Sequence, residues 1–496
     1  MNKPSIFKNT AVITAVSCLE RALGFLYRIV LARLLGAEGV GIYQIALSHF
    51  FLFQTAAGGG IPVTLSRTVS RLRAERKEHR TGGALIAALI LGACISIPIT
   101  LLLLPIADKI PIFTTDAAPL KILLVSLSAT AAYVAVKGFF WGNKQFLAPA
   151  AFEMAEEILT VLIGVALLSG RKLTPIDGAS RAAWAHSLAA IAVCVIAFLT
   201  LLSKKPKFSS PTPFIRPTLS AAAPITAVRS GTTLVSAAVA VLLPAALMKT
   251  GMAESAALQA FGVVTGMVMP LLGIPLTIIG SLAIVLVPEL AEDFQKQNGK
   301  RLAKNIERGL LFSVAVACLL IPFFASIGKP MGMLAYQNEL AGEMLSKCAA
   351  LLLPMSANAI LITILNSLGF EKKTFVFSLV GSALFLLCIL FLPSFVGIYA
   401  FPIGLFLQFT IEAFCALFLL KKHCKFSKKF LFKTLLFIAL PIPMSVFGTL
   451  IHRGFSLLLG QWLAPISTAA VLLIIITIIS LSAKLINFPK KNSLPS

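Results

Sequence analysis

Ser17, Arg21, Gly24 and Arg28 recur at intervals of three and four residues in the run SCLERALGFLYRIVLARLLG. That spacing puts all four on one face of a helix. The rest of the run is apolar enough to sit in a bilayer, where a central arginine costs about 2.5–3.5 kcal/mol on insertion scales. At about 1.5 Å per residue, Arg21 lies roughly 15 Å from either end, too deep for its side chain to reach the headgroups. Two such residues on one face imply a water-filled cavity, an acidic partner, or both. A third deep arginine, Arg229, stands in APITAVRSGTTL. Guanidinium groups are planar forks that match phosphate oxygens, so the three together suit a multiply charged anion such as a diphosphate.

Acidic groups occur at similar depth. Glu20 adjoins Arg21, and Glu153, Glu156 and Glu157 open another apolar run. Glu412 lies within LQFTIEAFCAL. These carboxylates either neutralise the arginines as ion pairs or serve a coupling cation. Other chemistry finds no support. The eight cysteines show no CxxC or Cys/His spacing, and the five histidines form no HExxH. No GxxxxGK phosphate loop and no strand-turn-helix GxGxxG occurs, so neither a metal, a cofactor nor an enzymatic role is expected.

Composition sets the frame that must position these groups. Of 496 residues, 58% are hydrophobic and only 12% charged, too few charges to cover a soluble protein of this size. The chain reads as an all-α membrane protein. A helix of about 20 apolar residues spans a bilayer. About fourteen such windows can be read, near 11–35, 42–66, 83–106, 118–140, 151–169, 180–202, 219–247, 258–287, 309–327, 344–368, 374–393, 397–420, 430–451 and 462–486.

The net charge of +24 would suggest a nucleic-acid partner in a polar chain. Sorted by loop, about thirty of the lysines and arginines fall on the side of the N-terminus and about eight on the other. The positive-inside rule then places both termini in the cytoplasm, and the charge orients helices without calling for nucleic acid.

The polar, proline-rich stretch KKPKFSSPTPFIRP (204–217) divides the chain into 1–203 and 218–420, each with six spans. Two further spans occupy 421–486, and 487–496 form a cytoplasmic tail. The halves are weakly alike. Gly142 and Gly369 follow comparable apolar helices, and both the second and eighth spans are interrupted. Gly58, Gly59, Gly60 and Pro62 interrupt the second, and Pro270 and Pro275 the eighth. Interrupted helices at matching places in parallel repeats are the expected hinges of a transporter.

ERALGFLYRIVLARLLGAEGVGIYQ, GIPVTLSRTVS, AAPITAVRS and FGVVTGMVMPLLGIPLTIIGSLAIVLVPELAE resemble the stage V sporulation protein B family. That family belongs to the multidrug/oligosaccharidyl-lipid/polysaccharide exporter superfamily. The resemblance runs over nearly the whole chain. It implies two pseudo-symmetric six-helix lobes around a central cavity that opens alternately to each side. The related lipid II flippases carry two added helices, as expected here, and cavity arginines in the first-span motif. Arg21 matches the first of these, while Tyr27 falls at the position of the second.

The resemblance implies a flippase, active as a monomer in a bacterial plasma membrane. It would move an undecaprenyl-diphosphate-linked saccharide outward, among membrane lipids, driven by a coupling cation or the membrane potential. Two other readings stand beside it: a cation-coupled multidrug exporter of the same superfamily, and a non-transport scaffold for cell-wall synthesis.

Overall fold

The computed structural model describes residues 6–109, 117–170, 173–203, 209–296, 299–424 and 426–482. The N-terminal half contains α1 (Ile6–Gly58), α2 (Ile61–Ala74), α3 (Thr81–Ile106), α4 (Ala118–Gly142), α5 (Leu147–Leu168), α6 (Pro175–Ser203), α7 (Thr212–Lys249) and α8 (Glu254–Gly262). The remainder contains α9 (Met269–Gln295), α10 (Gly299–Tyr336), α11 (Glu339–Cys348), α12 (Leu352–Ser367), α13 (Glu371–Phe391), α14 (Pro393–Val396), α15 (Ala400–Lys421), α16 (Lys428–Ala439) and α17 (Pro441–Ser482). No strand occurs among the described residues. This is the expected all-α membrane architecture: in hydrocarbon, a helix satisfies every backbone donor within its own segment.

By length and composition, eleven helical stretches qualify to cross a membrane. The first of them, Cys18–Ala74, holds two spans, because Gly36 leaves helical geometry at φ 68° and ψ 175°. A left-handed residue of this kind favours glycine, which lacks the Cβ that would clash. Gly460, at φ 74°, divides α17 in the same way. With α5 added, fourteen helices result; α9 continues the stretch that begins at Glu254. The three glutamates of α5 keep it from standing out as apolar.

The chain packs as two compact units. The first runs to Met267 and takes in Leu392–Ile398; the second takes Val268–Phe391 and the chain from Tyr399. In this division α7 and α8 belong with α1, on which both pack. Of the polar stretch 204–217, residues 204–208 lie outside the described residues, and Thr212 already begins α7, with Pro213 in its first turn. Proline is well placed there because its missing N–H would be unpaired anyway.

The first unit's core joins Leu65 and Val69 of α2, Ala84 of α3, Phe140 of α4, Phe152 of α5 and Val193 of α6. Small residues let these helices approach closely. A Cβ added at Gly138 would fall 2.7 Å from Pro62 Cα, and one at Gly142 2.6 Å from Val69 Cβ. So α4 lies almost directly on α2. In the second unit, Leu290, Ile306, Leu361, Leu420 and Phe437 gather α9, α10, α12, α15 and α16 around one core. Rows of exposed apolar side chains, such as Leu101, Leu162, Leu379 and Phe414, face outward, as a lipid solvent requires.

Candidate functional site

The arginine face of α1 packs beside α5 and α4 in the first unit. Arg21 and Arg28 are both exposed, and neither makes an ion pair among the described residues. Gly24, between them, is the point of closest approach. A Cβ there would sit 2.8 Å from Glu157 Oε1, so the bare glycine admits the Glu157 carboxylate to the face. Glu157 interacts electrostatically with Arg28, and Glu20 with Arg21. Ser17 lies on the same helix, but its side chain is outside the described residues.

A second charge pair flanks the face. Lys137 of α4 donates to Glu153 Oε1 of α5, and its ammonium also lies 4.8 Å from the centre of the Trp141 ring. Lys137 falls inside the window 118–140 in sequence; the fold places it in α4 and against an acid. Glu156, three residues further along α5, takes no ion pair among the described residues, and its backbone carbonyl accepts from Thr160 Oγ1 at 2.8 Å. Thus Glu153 is engaged by Lys137, while Glu20 and Glu157 act on Arg21 and Arg28 from beyond ion-pair distance.

Tyr27 is buried one position before Arg28, and its hydroxyl has no hydrogen-bond partner among the described residues. It fits because α5 carries glycine at 164: a Cβ there would fall 2.7 Å from Tyr27 Cζ. The one feature that points to Tyr27 in the sequence is its place where the related flippases carry an arginine.

Arg229 of α7 is held elsewhere. Its Nη1 donates to the Gly59 carbonyl at 2.7 Å. Three residues earlier on α7, Thr226 Oγ1 accepts from Gly60 N at 2.9 Å. Both bonds fall on the break between α1 and α2, where Gly59 N also donates to Thr55 O at 2.7 Å. A Cβ at Gly60 would lie 2.9 Å from Thr226 Oγ1 and closer still to the Ala222 carbonyl. Gly59 and Gly60 therefore form a tight joint against α7, Gly58 faces Val134 of α4, and Pro62 follows in the first turn of α2.

The other interrupted span is different. Val263–Val268 forms a π-helical turn, followed by Pro270 at the start of α9 and Pro275 within it. Such turns leave carbonyls free of regular pairing and concentrate at functional sites.

Glu412 belongs to the second unit. It is 3% exposed in α15, and its oxygens accept from Asn358 Nδ2 at 2.8 Å and Gln408 Nε2 at 2.9 Å. Gly381 of α13 makes room for it, since a Cβ there would fall 2.8 Å from Glu412 Cγ. Asn358 Oδ1 is buried without a hydrogen-bond partner among the described residues. Gln408 is visible in sequence as the residue one turn before Glu412; Asn358 is not. No group of three metal-ligating side chains occurs among the described residues.

The family described as polysaccharide biosynthesis protein matches residues 6–294. Stage V sporulation protein B of Bacillus subtilis (strain 168) is 24% identical over 347 residues, 66% of this chain and 66% of that protein. Lipid II flippase MurJ of the same organism is 24% identical over 170 residues, 32% of this chain and 31% of that protein. The chain thus spans at most 66% of the length of either relative.

Among solved structures, lipid II flippase MurJ in an inward closed conformation superposes with a TM-score of 0.73 at 13% identity. It covers 96% of this chain and 100% of that one. An inward-facing multidrug resistance MATE family transporter of the MOP superfamily gives 0.67 at 13% identity, covering 81% and 94%. At such identity the likeness is one of fold: the chain is a multi-span membrane protein with the MOP transporter architecture.

Proposed function

Because the chain belongs to the polysaccharide biosynthesis protein family, we propose that it is an alternating-access flippase. Its substrate in this reading is an undecaprenyl-diphosphate-linked saccharide, carried from the inner to the outer leaflet of the plasma membrane. One observation carries the proposal: Arg21 and Arg28 stand exposed on one face of a membrane helix without carboxylate partners at ion-pair distance. Their insertion cost is repaid if they bind an anion that enters from the aqueous edge. A diphosphate offers several oxygens to two planar forks, which rewards charge and geometry together. Glu20 and Glu157 keep the face from binding so tightly that release fails. A carrier must differ in affinity between its two states, so partial internal compensation is an advantage.

In this reading the lipid tails stay in the bilayer. The glycine joint at Gly58–Gly60 and the π-turn before Pro270 supply the bending points. Arg229 reports the state of the joint through its bond to Gly59. The drive is an ion gradient or the membrane potential, with Glu412 as the candidate coupling carboxylate. Both termini face the cytoplasm, and the monomer suffices.

The deciding experiment follows labelled lipid-linked saccharide across vesicle bilayers, comparing the native chain with Arg21→Ala and Arg28→Ala. Each variant should lower transport at least tenfold. Transport at native rates by both would end the anion-face reading. A second reading, a cation-coupled exporter of cationic drugs, is favoured by the cluster of Glu20, Glu156 and Glu157 beside the arginines. Drug resistance that does not change with expression would remove it.

A further inference from the structure

Outside the arginine face, the second unit carries a groove between α13 and α15, two helices packed along each other. Its volume is about 310 Å³, and Lys373, Phe377, Phe414, Cys415, Phe418 and Lys422 line it with Leu419. Its composition is sorted by position. The aromatic and aliphatic side chains form the walls. Both lysines stand at one end, because Lys373 begins α13 and Lys422 closes the antiparallel α15.

The two ammonium groups are held over aromatic rings. Lys373 Nζ is 5.1 Å from the Phe370 ring centre, and Lys422 Nζ is 5.0 Å from that of Phe418. Neither lysine makes an ion pair among the described residues. The stems therefore lie on apolar surface while the charges remain available at the rim. Phe414 and Phe418 are 67% and 58% exposed, and along α13 Val376 and Leu379 are 52% and 58% exposed. This is surface that a bilayer covers. A groove with an apolar floor, open to lipid and closed at its polar end by two unpaired cations, matches one amphiphile: an acyl chain below and an anionic headgroup above.

We propose that this groove is a binding site for a single anionic phospholipid, its phosphate between Lys373 and Lys422 and one acyl chain along Phe377, Phe414 and Phe418. The inference is independent of the transported substrate. Lysines near a membrane surface attract anionic lipid by about fivefold in affinity for each charge. Here two charges converge on one headgroup, so selectivity exceeds that of dispersed loop lysines.

Native mass spectrometry of the full chain in micelles holding equal dioleoylphosphatidylglycerol and dioleoylphosphatidylcholine tests it. The native protein should retain one phosphatidylglycerol in preference to phosphatidylcholine. The Lys373→Ala/Lys422→Ala pair should lose that preference about fivefold or more, while Lys372→Ala/Lys421→Ala, which removes equal charge beside the groove, should keep it. Equal loss in both pairs, or loss in neither, overturns the site. A measurement on the unaltered protein gives a second arm. Maleimide modification of Cys415, read at the peptide level, should slow in phosphatidylglycerol nanodiscs relative to phosphatidylcholine. Equal rates overturn occupancy of the groove.

Discussion

Arg229 Nη1 donates to the carbonyl of Gly59 at 2.7 Å, joining residues 170 apart in the chain. The acceptor belongs to the glycine joint between α1 and α2, so a residue expected to bind substrate also holds a hinge. A charged donor on a backbone carbonyl contributes about 1.5–3 kcal/mol. Binding of an anion at Arg229 would compete for the same guanidinium.

Replacing Arg229 by Gln should therefore slow transport more than it weakens binding. A roughly tenfold lower rate with near-native substrate affinity is expected, since one charged hydrogen bond of this size is lost. Arg21→Ala should show the opposite pattern, with affinity falling first. Concentration dependence of flipping in vesicles separates the two, and equal effects on affinity would assign Arg229 to the substrate instead.

Gly60→Ala should destabilise the protein outright. The added methyl would press on Thr226 Oγ1 and on the Ala222 backbone, which cannot rotate away. Overpacking of this kind costs about 1–3 kcal/mol. Thermal unfolding in detergent should drop by several degrees, while Gly231→Ala, where a Cβ meets nothing within 4 Å, should leave it unchanged.

Gly24→Ala is the subtler case. Its methyl would meet the Glu157 carboxylate, the end of a flexible side chain, so folding should survive with little loss. Displacing Glu157 removes an acid from the side of Arg28, and substrate should then bind more tightly and leave more slowly. A transport rate and affinity both at native values would show that Glu157 does not temper the arginine face.

At Glu412, shape and charge can be tested apart. Glu412→Gln preserves volume and should fold. Glu412→Leu leaves the Asn358 and Gln408 amides without acceptors, at about 1–3 kcal/mol for each buried group. If Glu412 couples transport, the Gln variant should lose dependence on an imposed proton or sodium gradient. Retained dependence would leave it a structural hydrogen-bond hub.

The helices were legible in sequence because hydropathy is a local property and each membrane span must satisfy its own backbone. The fourteen windows, the breaks near Gly58–Gly60 and Pro270, and the shared face of Arg21, Gly24 and Arg28 all follow from spacing along one segment. Spacing along the chain marks the break after residue 35, but not that Gly36 makes it within a single residue, nor that residues 212–217 of the polar stretch already belong to α7. Partnerships were decided by tertiary structure alone. Lys137 finds Glu153, Asn358 finds Glu412, and Arg229 finds Gly59 only once neighbouring helices pack. Hydrogen bonds act over about 3 Å and are blind to sequence distance. The sequence by itself determined which charges fall in apolar helices; the packing of helices determined which of them meet a partner and which, like Arg21 and Arg28, meet no carboxylate at ion-pair distance among the described residues.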